Sequence, residues 1–439
     1  MKLSLTILPA VFFAFSLNVK AQNIENEMVL KPFFEKLNKN EVNHILFIGD
    51  SHIQADHLTG YLRKKFQNKY GNAGRGLVFP YQIANTNGAE DFVSVSNQAW
   101  ETFRLVHEQK IFPQIGASGF VIGNKENSFL EIAFKNPDDS FDKVVIYNDS
   151  KMSGGDFYLY TEKQSLKDFI QKKTEKLNHT AIAEQTFHEI VSKYNTTTTK
   201  LRALNGDKIL NPKEGFVYKI ERNFLIYNPD FEQNIDQIGV FKFSNSKKEV
   251  DFKIPQNIFL LKTNNPNGNI FYGFQFLKNV NKGVVFNTVG VNGATYSDFL
   301  KFPLQLEQLS KMKSDVLIIA LGTNEAFGKV EKEEFQKNVA DMISKFRNEN
   351  PALPILLISP PDNSPKENRT IEVIGWIEES AIQNNTAFFN LFEASGGKGS
   401  FKKAQSQKEA SGDGVHYLKP GYEKQAEVIW KALQKTAEN

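Results

Sequence analysis

The stretch His44-Ile45-Leu46-Phe47-Ile48-Gly49-Asp50-Ser51-His52 decides how the rest of the chain is read. Ile45 to Ile48 is an apolar run of strand length closed by Gly49 and Asp50, the pattern of a buried strand. Gly49 permits an abrupt turn, and Leu58, Leu62 and Phe66 recur at helical spacing beyond it. Residues 53–70 are therefore expected to form a helix lying on a sheet. Ser51 then stands where a strand ends and a helix begins. In an open α/β sheet that edge is where ligands bind, and helix amides there stabilise a developing anion. Asp50 or Ser51 equally suits the N-cap of the helix, so the Gly-Asp-Ser triplet alone leaves a structural and a chemical reading open.

The final third repeats the pattern. Residues 283–289, 315–321, 354–359 and 387–391 are apolar runs of strand length, and residues 296–312, 332–347, 369–384 and 419–435 carry helical spacing. Strands alternating with helices imply parallel βαβ units, an α/β fold. From about residue 111 to 282 the texture changes to short runs such as Phe129-Leu130-Glu131-Ile132-Ala133-Phe134 and Ile270-Phe271-Tyr272-Gly273-Phe274, punctuated by Asn, Asp, Pro and Gly. Many short strands with turn signals point to a β-sandwich. Inside it, residues 165–193 read as a polar helical stretch and residues 196–199 as a loop tip. Residues 23–40 read as a short amphipathic helix with Met28, Leu30, Phe33, Phe34 and Leu37 on its apolar side. Gly71 to Gly76 is glycine-rich but lacks the Lys-Ser/Thr ending of a phosphate loop, so nucleotide binding is not expected.

The chain has 439 residues, 40% hydrophobic and 23% charged, with a formal net charge of +3. That is an ordinary globular composition with room for more than one domain, and the small charge gives no reason to expect nucleic acid. The absence of cysteine excludes disulfides, thiol catalysis and thiolate metal sites. Lys2, the apolar residues 3–17 and Val19-Lys20-Ala21 before Gln22 have the layout of a signal peptide over residues 1–21. The apolar run is short for a membrane span. The expectation is an exported protein, periplasmic or extracellular, with no membrane span once the leader is cleaved; an uncleaved anchor is the other reading.

Each apolar run of the α/β part leads into a polar, glycine-containing loop: Gly290-Val291-Asn292-Gly293-Ala294-Thr295, then Gly322-Thr323-Asn324-Glu325; Gly412-Asp413-Gly414-Val415-His416 precedes the last helix. Parallel strands would bring these loops to the edge that carries Ser51. A serine nucleophile needs a base, usually histidine, and His416 is the candidate. Asp413, three residues earlier, suits the group that orients the ring and fixes its tautomer. The Ser51 amide, the Gly293 amide and the Asn324 side chain are candidate donors to an oxyanion. His52 and His57 beside Asp50 and Asp56 invite a metal reading. The other histidines are scattered and no acidic cluster accompanies them, so no metal or other cofactor is expected. His52 packs beside the nucleophile or borders the acyl pocket, and Arg75 is a support for the site, a contact for an anionic substrate, or a solvated loop residue. Trp100 and Tyr160 fit core packing or sugar stacking.

Gly49-Asp50-Ser51-His52, Gly293, Gly322-Thr323-Asn324-Glu325 and Asp413-Gly414-Val415-His416, in this order, resemble the blocks of the SGNH (GDSL-type) hydrolase superfamily. The resemblance implies a three-layer α/β/α fold with a parallel central sheet and an esterase or acyl-hydrolase activity without cofactor. It makes Ser51, Asp413 and His416 catalytic and assigns the oxyanion hole to Ser51, Gly293 and Asn324. Glu325 stands where the family usually has Asp, a position not itself catalytic in the pattern. Ser51 and Gly293 lie much farther apart than the family needs, which the β-rich region accounts for as an inserted, sandwich-like domain. The expected division is 22–110 and 283–439 for the hydrolase and 111–282 for the insert.

Within the superfamily this layout is similar to peptidoglycan O-acetylesterases, and Gly74-Arg75-Gly76-Leu77-Val78-Phe79-Pro80, Gly290-Val291-Asn292-Gly293-Ala294 and Leu321-Gly322-Thr323-Asn324-Glu325-Ala326-Phe327 resemble that subgroup's extended motifs. That implies an exported serine esterase removing O-acetyl groups from a glycan, peptidoglycan first, through an acetyl-serine. Open alternatives are the same reaction on a xylan-type polysaccharide, acetyl transfer to another sugar, and a non-catalytic carbohydrate-binding envelope protein. The expected partner is an acetylated glycan.

Overall fold

Six parallel strands form the central sheet, in the order Ala387–Phe389, Ile355–Ile358, Val316–Ala320, Val42–Gly49, Gly283–Gly290, Asn72–Gly74. The computed structural model describes residues 23–39, 41–107, 114–149, 155–194, 196–206, 212–265 and 268–438; the expected leader, residues 1–21, lies outside them. Side chains alternate across the sheet with the period of two that a strand imposes. Ile45 and Phe47 face Phe33, Phe66 and Trp430 of the helices Lys31–Leu37, His57–Tyr70 and Lys419–Glu438. Leu46 and Ile48 face the other way, into the core that includes Phe299, Phe335 and Ile377 of Tyr296–Leu300, Lys332–Glu349 and Glu367–Gln383. Apolar residues on both faces give the three-layer α/β/α arrangement its driving force, at about 1.5–3 kcal/mol for each large side chain fully buried.

Between Val42–Gly49 and Gly283–Gly290 the chain builds two antiparallel sheets. One runs Ile235–Phe241, Asp156–Glu162, Ile258–Asn264, Phe129–Phe134, Phe92–Ser96; the other Lys247–Gln256, Phe141–Asn148, Asn269–Leu277, Phe120–Asn124, Glu101–Arg104. They meet through phenylalanines: Phe134 lies 4.8 Å from Phe276 and Phe259 5.6 Å from Phe274, ring centroid to centroid. The antiparallel pairing starts earlier than residue 111. Phe92–Ser96 and Glu101–Arg104 are members of these sheets, and Gly76–Val78 pairs with Asn269–Leu277.

Other local expectations change. Residues 165–193 are not one helical stretch: Ile170–Thr180 is a strand paired along its whole length with Val217–Tyr227. Its Lys, Glu and Gln residues favour helix locally, but an eleven-residue ladder overrides that preference. The ribbon carries its own small core of Phe187, Ile190, Leu201, Tyr218 and Ile220. Thr198 opens the helix Thr198–Asn205, capped by the Thr197 hydroxyl, rather than a loop tip. Residues 23–40 contain a 3₁₀ turn, Glu27–Leu30, before the helix Lys31–Leu37, and Met28 is exposed. The helix expected over residues 53–70 is broken at Asp56, whose φ of 58° is left-handed, into Ser51–Gln54 and His57–Tyr70.

Topology and two glycines position the site. After Val42–Gly49 the chain adds strands on one side of it (Asn72–Gly74, then Gly283–Gly290) and then crosses to the other side with Val316–Ala320. That reversal is the switch point at which open α/β sheets leave a crevice beyond the strand ends. Gly49 and Gly290 are paired at that end. A Cβ on Gly290 would lie 2.3 Å from the Gln54 amide, and one on Gly49 2.3 Å from Ile53. Both positions must lack a side chain for the turn Ser51–Gln54 to settle onto the strand ends.

Candidate active site

Ser51, His416 and Asp413 form one hydrogen-bonded line. The Ser51 hydroxyl lies 2.8 Å from His416 Nε2, and His416 Nδ1 lies 2.7 Å from Asp413 Oδ2. With Nδ1–H donated to the carboxylate, Nε2 presents its lone pair to the hydroxyl. The loop holds Asp413 by its other oxygen: Oδ1 accepts the Ser411 hydroxyl and the amides of Val415 and His416 at 2.8 and 2.9 Å. Partial burial pushes the Asp413 pKa up, but these donors and the imidazole outweigh it and hold the carboxyl well below the usual range. The carboxylate therefore stays ionised beside the ring.

Ser51, Gly293, Asn324 and His416 line the same open pocket, of about 460 Å³, with Asn87, Asn292, Thr323, Phe327 and Val415. The backbone amides of Ser51 and Gly293 donate to no acceptor among the described residues, and Gly293 is exposed with φ +86°. Asn324 donates from Nδ2 to the Ala294 carbonyl at 2.9 Å and reaches Asp50 Oδ2 only at 3.4 Å. That second contact is long for an N–H···O bond, so one N–H of the amide is weakly held. The arrangement can move a proton off Ser51 and offers three donors to an anion forming in front of it.

Asp50, Gln54 and Glu325 support these loops, and of the three only Gln54 was not singled out from the sequence. Asp50 caps the Ser51–Gln54 turn by accepting the His52 amide at 2.9 Å, so the capping reading applies to Asp50 and leaves the Ser51 hydroxyl free for His416. Burial pushes Asp50 up to about 6 against that hydrogen bond. Gln54, buried, binds the Asn87 carbonyl at 2.7 Å through Nε2 and takes the Asn292 amide at 2.7 Å on Oε1. It ties two pocket loops to the nucleophile's own turn, and no sequence pattern marks it.

Glu325 accepts the Tyr296 amide at 2.7 Å on Oε1, while its other oxygen is buried without a partner. Burial, with Asp50 and Asp298 nearby, pushes its pKa up to about 8 against the Tyr296 amide bond. The folded protein then holds a proton that the unfolded chain gives up near the ordinary carboxyl value of 4.5, so stability falls as pH rises between the two values and the loss is complete above about 8. Glu325→Gln keeps the acceptor and removes the charge. Its stability relative to the parent is expected to improve steadily from about pH 5 to about pH 9 in denaturant titrations; a difference that does not change with pH would contradict this.

Two residues expected near the substrate do not line the pocket. His52 packs beside the nucleophile's turn and base, one of its two readings, and does not border the pocket. It is buried, its Nδ1 lies 2.9 Å from the Tyr422 hydroxyl, and its ring packs 5.6 Å from that of His416. Burial, with His416 adding to it and Asp413 opposing, lowers its pKa to about 3, so it is a neutral wall behind the base. Arg75 does not line the pocket and is not a solvated loop residue: it is 2% exposed and its guanidinium joins Asp56 and Asp91. Its buried partners were invisible in a glycine-rich stretch that reads as surface loop. Trp100 is buried with its indole N–H on Ser96, and Tyr160 packs on Phe129. Among the described residues no three His, Asp or Glu are gathered as a metal site, and no helix is long and apolar enough to cross a membrane.

Residues 264–424, which carry Gly293, Asn324, Asp413 and His416, match the GDSL-like Lipase/Acylhydrolase family. Comparison with curated proteins finds no match. Among solved structures, a peptidoglycan O-acetylesterase is 19% identical, with a TM-score of 0.56, 93% of this chain and 96% of that one covered. A lipase/acylhydrolase from Enterococcus faecalis is 23% identical over 35% of this chain and 77% of that one, at a TM-score of 0.28. An acetylxylan esterase from Geobacillus stearothermophilus is 15% identical over 35% and 73%, also at 0.28. The full-length likeness places the parallel and the antiparallel sheets in one shared fold. Over residues 264–424 the chain is thus similar to the hydrolases of the GDSL-like lipase/acylhydrolase family, the SGNH type.

Proposed function

We propose that this chain is an exported serine esterase that removes O-acetyl groups from a glycan, peptidoglycan first. The observation that carries the reading is the Asp413–His416–Ser51 line facing two unbonded amides across an open pocket. His416 Nε2 takes the Ser51 proton as Oγ attacks the acetyl carbonyl. The oxyanion forms toward the Ser51 and Gly293 amides and the weakly held N–H of Asn324. Its collapse breaks the ester bond, and the sugar oxygen leaves with the proton from His416. Water, deprotonated by His416, then cleaves acetyl-Ser51 and releases acetate. His52, neutral behind the ring, keeps a second positive charge from forming beside the imidazolium. Peptidoglycan is favoured because a protein that shares this fold over almost its whole length is a peptidoglycan O-acetylesterase. Export rests on the signal-like residues 1–21. We read the antiparallel region as an inserted domain that helps present a polymer to Ser51.

The test is acetate release by the purified protein from O-acetylated peptidoglycan, acetylated xylan and a small chromogenic acetate. The highest kcat/KM is expected on peptidoglycan. A higher value on xylan would move the substrate to that polymer, and acetyl transfer to an added glycan outrunning hydrolysis would make the enzyme an acetyltransferase. No acetate from any ester, with folded protein, would overturn the esterase reading.

A further inference from the structure

A second cavity lies beside the active pocket, lined by Trp100, Thr102, Arg104, His107, His188 and Thr196 with neighbouring residues. It sits between the strand Glu101–Arg104 and the helices Phe187–Lys193 and Thr198–Asn205. One loop borders both cavities. Thr86 lines the second cavity and Asn87 the first, and Gln54 Nε2 holds both, at 3.1 Å from Thr86 Oγ1 and 2.7 Å from the Asn87 carbonyl. Val106, beside Arg104, reaches within 4.0 Å of where a Cβ on Gly293 would stand.

The lining is chemically incomplete. Arg104 donates from Nε to His107 Nε2 at 3.1 Å and has no carboxylate partner among the described residues. Burial lowers its pKa to about 10, which leaves it charged at neutral pH. Arg202 on the adjoining helix adds positive potential. The rings of His107 and His188 stack with centroids 3.2 Å apart. Burial, then Arg104, keep both neutral, His107 down to about 2 and His188 down to about 4. The hydroxyls of Thr102 and Thr196 are buried without a partner, and Thr196 is only 2% exposed. Buried polar groups left in this state are costly. An anion with hydroxyls of its own would relieve the cost at all three residues.

We infer that this cavity is a second glycan subsite, which takes a sugar with a free carboxylate, in peptidoglycan a muramic residue that carries no peptide stem, on the polymer whose acetyl group reaches Ser51. Arg104 pairs with the carboxylate and the Thr102 and Thr196 hydroxyls meet the sugar's hydroxyls. The assignment rests on the esterase reading for the identity of the polymer, and on the cavity alone for the carboxylate.

The test uses the full chain with Ser51→Ala and titration calorimetry. The probes are N-acetylglucosaminyl-N-acetylmuramic acid, the same disaccharide with its carboxylate reduced to an alcohol, and trigalacturonate. The muramic disaccharide is expected to bind, and its reduced form and the Arg104→Gln variant to bind at least about tenfold more weakly. Arg104→Lys is expected to recover part of the affinity, and an unchanged melting temperature shows that the variants fold. Binding of trigalacturonate alone would support the carboxylate subsite and assign it to a uronate polymer. Equal affinity for the acid and the alcohol, unaltered binding by Arg104→Gln, or no binding of any probe would overturn the subsite, even if the parent enzyme releases acetate. Carboxylate-dependent binding with no acetate release by the parent would support the subsite and overturn the esterase reading instead.

Discussion

Alanine at Ser51 is expected to lower acetate release by at least about 10⁴-fold, with His416→Ala close behind. The two belong to one line of hydrogen bonds, Ser51 Oγ to His416 Nε2 at 2.8 Å and Nδ1 to Asp413 at 2.7 Å. Once either is gone the proton relay is gone, so the double variant should be hardly slower than either single one. Asp413→Asn is expected to cost less than either. Asparagine turns an N–H toward Nδ1 and disfavours the productive tautomer, but the Asp413 side chain is about half exposed, at 50%. Water can reach the ring there in a way that a deeply buried orienting acid would forbid. Initial rates on a chromogenic acetate check all four variants. A Ser51→Ala protein that is folded and keeps more than about a hundredth of the parent rate would remove Ser51 from the nucleophile's place.

What could be read ahead of the structure follows from where backbone geometry dictates residue type. Ser51, Gly293 and Asn324 stand in loops that open directly after apolar runs, and parallel strands send all such loops to one edge. Gly49 and Gly290 belong to the same logic, since a side chain at either would strike the Ser51–Gln54 turn. His416 and Asp413 were legible because their spacing suits a ring and its acceptor within one tight loop. Which of the two readings of His52 holds was not legible, because proximity in sequence says nothing about which side of a turn a ring takes. His52 packs toward Tyr422 in the last helix, a partner far along the chain. Gln54 was missed for a related reason: its work is to join Asn87 and Asn292, loops that come together only in three dimensions. The strand Ile170–Thr180 was read as helical because its side chains favour helix. The ladder to Val217–Tyr227 is a long-range term absent from any local window.

Arg75 is where a loop-like sequence conceals the largest expected effect on stability. Its guanidinium is 2% exposed and meets Asp56 at 2.8 Å as well as Asp91, while Arg63 joins the same two carboxylates at 2.8 and 2.7 Å. Burial pushes Asp91 up, but Arg75 and Arg63 outweigh it and hold the carboxyl far below the usual range. Two cations and two anions balance, and they clasp three segments. Asp56 starts the helix His57–Tyr70 from a left-handed backbone, Arg75 lies between Asn72–Gly74 and Gly76–Val78, and the Asp91 carbonyl receives the Lys135 amide in the antiparallel region. Arg75→Gln leaves one arginine facing two buried carboxylates and is expected to destabilise the fold by about 3–5 kcal/mol, read from denaturant unfolding at neutral pH. The loss should persist in high salt, because buried pairs are screened far less than surface ones. Exposed pairs such as Lys311–Glu307 should by contrast contribute at most about 1 kcal/mol and fade with salt. The sign with pH follows from the depressed carboxylate: the cluster contributes fully above the ordinary carboxylate range and is lost on acidification. Parent and Arg75→Gln should therefore converge in stability toward low pH, and Arg75→Gln within about 1 kcal/mol of the parent at neutral pH would show that the clasp holds nothing together.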